Sequence, residues 1–243
     1  MASPTSNIVL VTGGNQGIGF AIAKKLATDY SDYHIIIGSR DASRGVEAAS
    51  SLSNLGFSVS SIQLDVTDDT SIAAARQKIE ARHERIDVLI NNAGISIDRE
   101  PGDMRARLYR TYNTNVFGAA AVTEEFLPLL RKSTLPRVIF ISSSLGSLAE
   151  AADFTNPYSN LLLPAYKSSK SALNMLMLHY ANMLSEEGFK VNSCCPGYVA
   201  TNLNGYRGTG SVDEGAINAC RLATLGNDGE SGTFSNKEGI IPW

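Results

Sequence analysis

The chain is short of cysteine, has no surplus of positive charge and contains no long apolar run, and each shortage removes a class of protein. Its three cysteines, Cys194, Cys195 and Cys220, are an odd set without paired metal-ligand spacing. Free thiols in a reducing compartment are therefore expected, with no disulfide framework and no metal site. Lys and Arg number 21 against 24 Asp and Glu, a net charge of -3, which lacks the basic excess needed to grip a phosphate backbone. Nucleic acid is not an expected partner. No stretch nears the roughly 18 apolar residues of a membrane span. The opening MASPTSNIVLV has no basic region ahead of an apolar core, and the closing IPW matches no lipidation or retrieval signal. A cytoplasmic location without a membrane partner is the expectation. Pro/Ser-rich linkers are also missing, so 243 residues, against a domain size of roughly 150, read as one large domain over residues 1–243.

With 43% hydrophobic and 19% charged residues the composition is that of a folded globular chain, neither disordered nor fibrous. Short β-rich runs recur at residues 8–11, 34–38, 59–64, 88–90, 137–141 and 190–193. Between them lie segments of helical period: residues 17–30 carry Ile18, Ala21, Ile22, Lys25 and Leu26 at spacings of three and four, and residues 71–82 repeat the pattern with Ile72, Ala75 and Ile79. Alternating strand and helix predicts an α/β fold, a single doubly wound parallel sheet with helices on both faces. Continuous apolar runs such as VLI before Asn91 fit strands covered on both sides. Two connections, residues 148–164 and 198–211, exceed the usual strand-to-helix length. Both follow predicted strands, at the edge where open α/β sheets bind ligands.

The motifs cluster at those strand ends. The first strand runs into TGGNQGIG, with Gly13, Asn15, Gln16, Gly17, Ile18 and Gly19, and then into a helix. Such glycines bring backbone N–H groups and a helix N-terminus against a pyrophosphate. The second strand ends in Ser39 and Arg40, with Arg44 close behind, where a site preferring the unphosphorylated ribose would present a carboxylate. Guanidinium forks suit a 2′-phosphate, which points to NADP (NADPH), although Asp41 intervenes. Asp65 ends the third strand and is placed to accept from an adenine amino group, while Asp68 or Thr70 suits the helix cap beyond it. Asn91, Asn92, Ala93 and Gly94 close the fourth strand, a turn by composition. Tyr166 and Lys170 lie four apart on a segment, residues 165–184, of helical apolar spacing. An ammonium beside a phenol would lower its pKa from about 10 toward neutrality and make it a usable acid or base. Alone, that string reads as an ordinary helix start.

The ordered set changes the reading. TGGNQGIG, NNAG, Ser143, YKSSK and PGYVAT together resemble the short-chain dehydrogenase/reductase family over essentially the whole chain, and GSRDASRG, QLDVTDDTSI, NSCCPGYVAT and the terminal Trp243 resemble its carbonyl reductases. The resemblance implies a Rossmann fold whose cofactor part covers about residues 1–140 and whose active-site and lid part covers about 141–243. It implies Tyr166 as proton donor and Lys170 as the group that lowers its pKa and holds the nicotinamide ribose. Ser143 would hydrogen-bond the substrate carbonyl, with Ser142 and Ser144 as neighbouring alternatives, and Asn115 in the fourth helix would support a water leading from Lys170 to solvent. Val66, Asn92, Pro196, Gly197, Val199 and Thr201 would line the cofactor, and Leu145 and Tyr198 the substrate pocket. Ser143 and Tyr166 stand further apart than is usual in the family, and larger insertions here accompany monomeric carbonyl reductases, which leaves monomer or homo-oligomer open. The expected partner is a small carbonyl compound, reduced to an alcohol. A dedicated biosynthetic ketoreductase or alcohol dehydrogenase shares the same motifs, and a non-catalytic NADP-binding redox sensor could dispense with Tyr166, Lys170 and Ser143.

Overall fold

In the computed structural model, which describes residues 6–243, side-chain alternation along the strands decides where each helix lands. Residues 1–5, on which part of the N-terminal expectation rests, lie outside the described residues. In β1 (Asn7–Thr12) Ile8 and Leu10 join one core while Val9 and Val11 join the other, and in β2 (Tyr33–Ser39) Ile36 separates from Ile35 and Ile37 in the same way. Strands apolar on both faces must be covered on both. Helices α1 (Gly17–Asp29), α2 (Ala42–Ser53) and α8 (Val212–Ala223) cover one face through Ile22, Leu26, Leu52 and Leu222. The other face is covered by α3 (Asp69–His83), α5 (Ala119–Leu130) and α7 (Pro164–Met183) through Ile72, Ile79, Phe126, Leu173 and Met177.

The remaining strands are β3 (Val59–Gln63), β4 (Val88–Asn91), β5 (Arg137–Ile141), β6 (Lys190–Cys194) and β7 (Phe234–Ser235). All pair in parallel, in the order β3-β2-β1-β4-β5-β6-β7. This is the doubly wound sheet expected. The order reverses between β1 and β4, so the crevice at their C-terminal ends is the topological switch point where such sheets bind ligands.

The six strands read from the sequence are present with ends moved by a residue or so, and Asp68 caps α3 by accepting from Thr70 N at 2.9 Å and Ser71 N at 3.4 Å. Strand β7 escaped notice because two residues carry no period. Asn115 sits in a π-helical turn, Asn113–Gly118, that joins α4 (Met104–Tyr112) to α5, rather than in a regular helix. The connection of residues 148–164 is not wholly irregular, since it opens with the short helix α6 (Leu148–Ala152).

Phe126 is fully buried on α5 within the core shared by α3, α5 and α7. Phe126→Ala should cost about 3–5 kcal/mol of stability, measured as a lowered urea midpoint at unchanged slope.

Candidate active site

The C-terminal ends of β1 and β4 are joined by one hydroxyl. Thr12 Oγ1 donates to Ile90 O at 3.4 Å and accepts from the N–H groups of Asn92 and Ala93, each at 3.0 Å. The Asn92 amide returns the tie, donating to Thr12 O at 2.9 Å and Gly13 O at 3.2 Å, so this side chain shapes the Gly-rich turn. Asn91 is turned toward α5, where it donates to Thr123 Oγ1 at 2.9 Å. Gly13 and Gly17 adopt φ of 61° and 55°, left-handed values that favour glycine. Gln16 gives α1 no side-chain cap. Asn15 and Ile18 are half-buried in this turn and Gly19 is buried, at a helix N-terminus whose first N–H groups are of the kind that binds anions. Thr201, from the loop after β6, closes on Gly17 from above: a Cβ there would lie 3.6 Å from its methyl carbon.

At the end of β2, Arg40 and Arg44 are exposed, and Asp41 is occupied as the cap of α2, accepting the Arg44 N–H at 3.1 Å. Ser39 is buried and donates to Asp41 O at 2.7 Å. Asp65 Oδ1 accepts from Thr67 N at 3.0 Å and Thr67 Oγ1 at 2.7 Å, an Asx turn after β3, and Val66 is buried against Gly118.

Helix α7 brings the catalytic candidates to the end of β5. Lys170 is only 4% exposed, and its Nζ donates to Ile141 O at 2.7 Å. Burial pulls this ammonium down from 10.5 to about 8. Its Nζ lies 5.6 Å from the centre of the Tyr166 ring. The phenol departs from expectation: its pKa is raised, chiefly by burial and next by the Cys195 thiol, against which a hydrogen bond with Ser143 acts weakly. The lysine is spent on a backbone carbonyl, and the desolvated ring disfavours the phenolate. Tyr166 is thus a fully protonated donor at neutral pH.

Of the three adjacent serines, Ser143 is the one near enough to the phenol to act on its acidity, and its Oγ accepts the Leu145 N–H at 3.2 Å. Ser142 is buried and donates to Lys170 O at 3.4 Å, while the Ser144 N–H donates to Cys195 Sγ at 3.1 Å. Gly146 permits this closeness, because a Cβ there would come within 2.7 Å of the Lys170 backbone carbon. Asn115 accepts from Ile95 N at 2.8 Å and donates to Ile95 O at 2.9 Å and to Ser169 Oγ at 3.0 Å. Between Asn115 and Lys170 lies Gly94, whose missing Cβ would stand 3.4 Å from Asn115 Oδ1 and 3.6 Å from Lys170 Nζ. A crevice kept free of side chain here, a Gly-rich turn at a helix start and exposed arginines beyond β2 fit a nicotinamide dinucleotide laid across the switch point.

Beyond Pro196 and the left-handed Gly197, the lid rests on a bridge between Val199 and Gly210, and Tyr198 stands half exposed above it. Its ring meets that of Tyr158 from the inserted segment, 6.3 Å between centres. Leu145 borders a shallow cleft between the β5 turn and the insert, together with Tyr158 and Lys167. Lys167 fastens the insert, donating to Tyr158 O at 3.1 Å and Ser159 O at 2.9 Å. Lys167, Gly146 and Asp98 carry no sequence signal for these roles. The first two stand in or near motifs, but Lys167 meets backbone carbonyls in an irregular segment and Gly146 meets a helix 24 residues on, and no spacing rule finds either.

This site on this fold is that of a dinucleotide-dependent oxidoreductase. The short chain dehydrogenase family model matches residues 7–211, and the chain belongs to the short-chain dehydrogenase/reductase family. It is 41% identical to short-chain dehydrogenase/reductase ATR10 of Stachybotrys chlorohalonatus, over 96% of this chain and 89% of that protein. It is 32% identical to salutaridine reductase of Papaver bracteatum, over 93% of this chain and 92% of that one. Among solved structures, an NADPH-bound carbonyl reductase from chicken fatty liver superposes with a TM-score of 0.85 at 28% identity, covering 98% of this chain and 99% of the other.

The Lys170 ammonium gives a stability test independent of turnover. Folded, it loses its proton near 8, whereas unfolded it holds to about 10.5. The folded state binds fewer protons in that window, so stability relative to Lys170→Met should climb as pH rises from about 8 toward 10.5 and stay flat below it. Paired urea titrations across this range measure the difference.

Proposed function

We propose that the protein is an NADPH-dependent reductase of ketone, aldehyde or quinone carbonyls. The observation that supports this most directly is the gathering, at the end of β5, of the Tyr166 ring 5.6 Å from the buried Lys170 ammonium, which is itself held on Ile141 O, beside the turn that carries Ser143. When bound, the nicotinamide supplies the hydride. Tyr166 gives its proton to the carbonyl oxygen, and Ser143 holds that oxygen by a hydrogen bond. The Lys170 ammonium, held on Ile141 O 5.6 Å from the ring centre, stabilises through its charge the phenolate that forms once the proton has left. Gly94 leaves room beside Lys170 for the nicotinamide ribose, and Asn115 holds the adjoining loop against α7.

NADPH is favoured by the exposed Arg40 and Arg44 and by the engagement of Asp41 as a helix cap. The NADPH bound to the chicken carbonyl reductase agrees with this choice. Residues 1–140 would hold the cofactor and residues 141–243 the active site and lid of a single cytoplasmic domain; among the described residues no helix is long and apolar enough to cross a membrane. The half-exposed Tyr158 and Tyr198 favour an apolar or aromatic substrate. A dedicated biosynthetic reductase, as the similarity to a salutaridine reductase suggests, would use the same residues on a narrower range.

Loss of NADPH absorbance with a panel of aromatic ketones, quinones and aliphatic aldehydes tests the proposal. Tyr166→Phe should abolish turnover and leave NADPH binding within about twofold; retained turnover would remove Tyr166 from the chemistry. Broad turnover marks a generalist, and silence with NADPH bound points to a dedicated biosynthetic substrate outside the panel or to the sensor. Arg40→Ala should weaken NADPH about tenfold or more while sparing NADH, as expected for one lost charge-assisted contact.

A further inference from the structure

The loop leaving β4 carries a carboxylate to the start of the helix that bears Tyr166. Asp98 Oδ1 accepts the Ala165 N–H at 2.8 Å and Oδ2 accepts the Tyr166 N–H at 3.0 Å, from 67 and 68 residues away in sequence. Helix α7 does not cap itself: Leu163 at the cap position offers no side-chain acceptor, and Pro164 has no N–H to give. The carboxylate meets the first available N–H donors and the positive end of the helix dipole.

The same loop grips Tyr166 from its other side. Ile95 pairs with Asn115 through both backbone groups, Asn115 donates to Ser169 Oγ at 3.0 Å, and Ser169 Oγ donates to Tyr166 O at 2.8 Å. The backbone N–H of Tyr166 is therefore set by Asp98, and its carbonyl is tied through Ser169 and Asn115 to a residue three positions earlier in the same loop.

We propose that Asp98 is a positioning residue, whose two carboxylate oxygens set the height and rotation of Tyr166 so that its phenol meets Ser143 and the substrate oxygen. This rests on the reading of Tyr166 as proton donor. Asp98 touches only backbone N–H groups and acts through Tyr166. Both oxygens matter, since an asparagine keeps one acceptor and turns an NH₂ toward the second donor. Small errors of placement at a reacting group cost far more rate than stability. Asp68 provides the comparison, a carboxylate that likewise caps a helix, α3, through two N–H groups and carries none of the active-site residues.

The test compares Asp98→Ala, Asp98→Asn, Asp68→Ala and Tyr166→Phe by NADPH consumption with a ketone that the unaltered enzyme reduces, by thermal melting, and by NADPH fluorescence titration to count folded sites. Both alanine variants should melt lower, but only Asp98→Ala should lose kcat, by about tenfold or more per folded site, with KM for NADPH within about twofold. Asp98→Asn should fall between. Equal kcat per folded site in Asp98→Ala and Asp68→Ala, with Tyr166→Phe inactive, would reduce Asp98 to an ordinary cap and overturn the proposal. Should Asp98→Ala bind no NADPH for want of folding, unchanged kcat in Asp98→Asn overturns it instead. Turnover by Tyr166→Phe would strike the underlying reading, a distinguishable failure.

Discussion

A lysine ammonium taken out of water constrains everything built around it. Left without acceptors, such a charge would be costly, and Lys170 meets the requirement at the carbonyl of Ile141, the last residue of β5. That contact ties α7 to the end of β5. One helical turn earlier, Tyr166 falls beside the serine that follows β5, and the turn carrying that serine lies close against α7 because Gly146 has no Cβ to hold it away. Burial then acts in opposite directions on the two groups, lowering the ammonium and raising the phenol, which leaves a proton on the tyrosine and a proton held less tightly on the lysine.

The sheet supplies the second ingredient, a fixed meeting place for distant loops. Parallel strands end on one edge, and the reversal of strand order between β1 and β4 opens a crevice there. Thr12 and Asn92 join the two strand ends across that crevice, so the Gly-rich turn and the loop leaving β4 are tied to each other. The β4 loop in turn reaches Asn115 and α7, and the loop after β6 returns to Gly17 through Thr201. Each contact is local in space and remote in sequence.

Periodicity made the architecture legible. Strand runs such as VLI at Val88 to Ile90 and helix spacings such as Ile72, Ala75 and Ile79 require only that neighbours in the chain be neighbours on a face. The ordered motifs made Tyr166, Lys170, Ser143 and Asn115 legible as a group. The phenol's acidity was not legible for a physical reason: four-residue spacing says that Tyr166 and Lys170 share a helix face, and nothing about burial or about a carbonyl on β5 that engages the ammonium. Asp98 was invisible for a related reason, because a carboxylate in an unremarkable loop gains its meaning only from the uncapped helix it meets.

By itself, then, the sequence determined the elements, their alternation, the faces they bury and the chemical types gathered at the strand ends, since these follow from backbone periodicity and side-chain chemistry acting over a few residues. Tertiary structure alone decided that Ser142 and Ser144 are engaged elsewhere while Ser143 stands nearest the phenol, that burial holds the proton on Tyr166, that Asp41 is engaged as a cap beside Arg40, and which carboxylate caps the helix that bears Tyr166. Those outcomes depend on desolvation and on hydrogen bonds between groups that the chain brings together only when the sheet has formed.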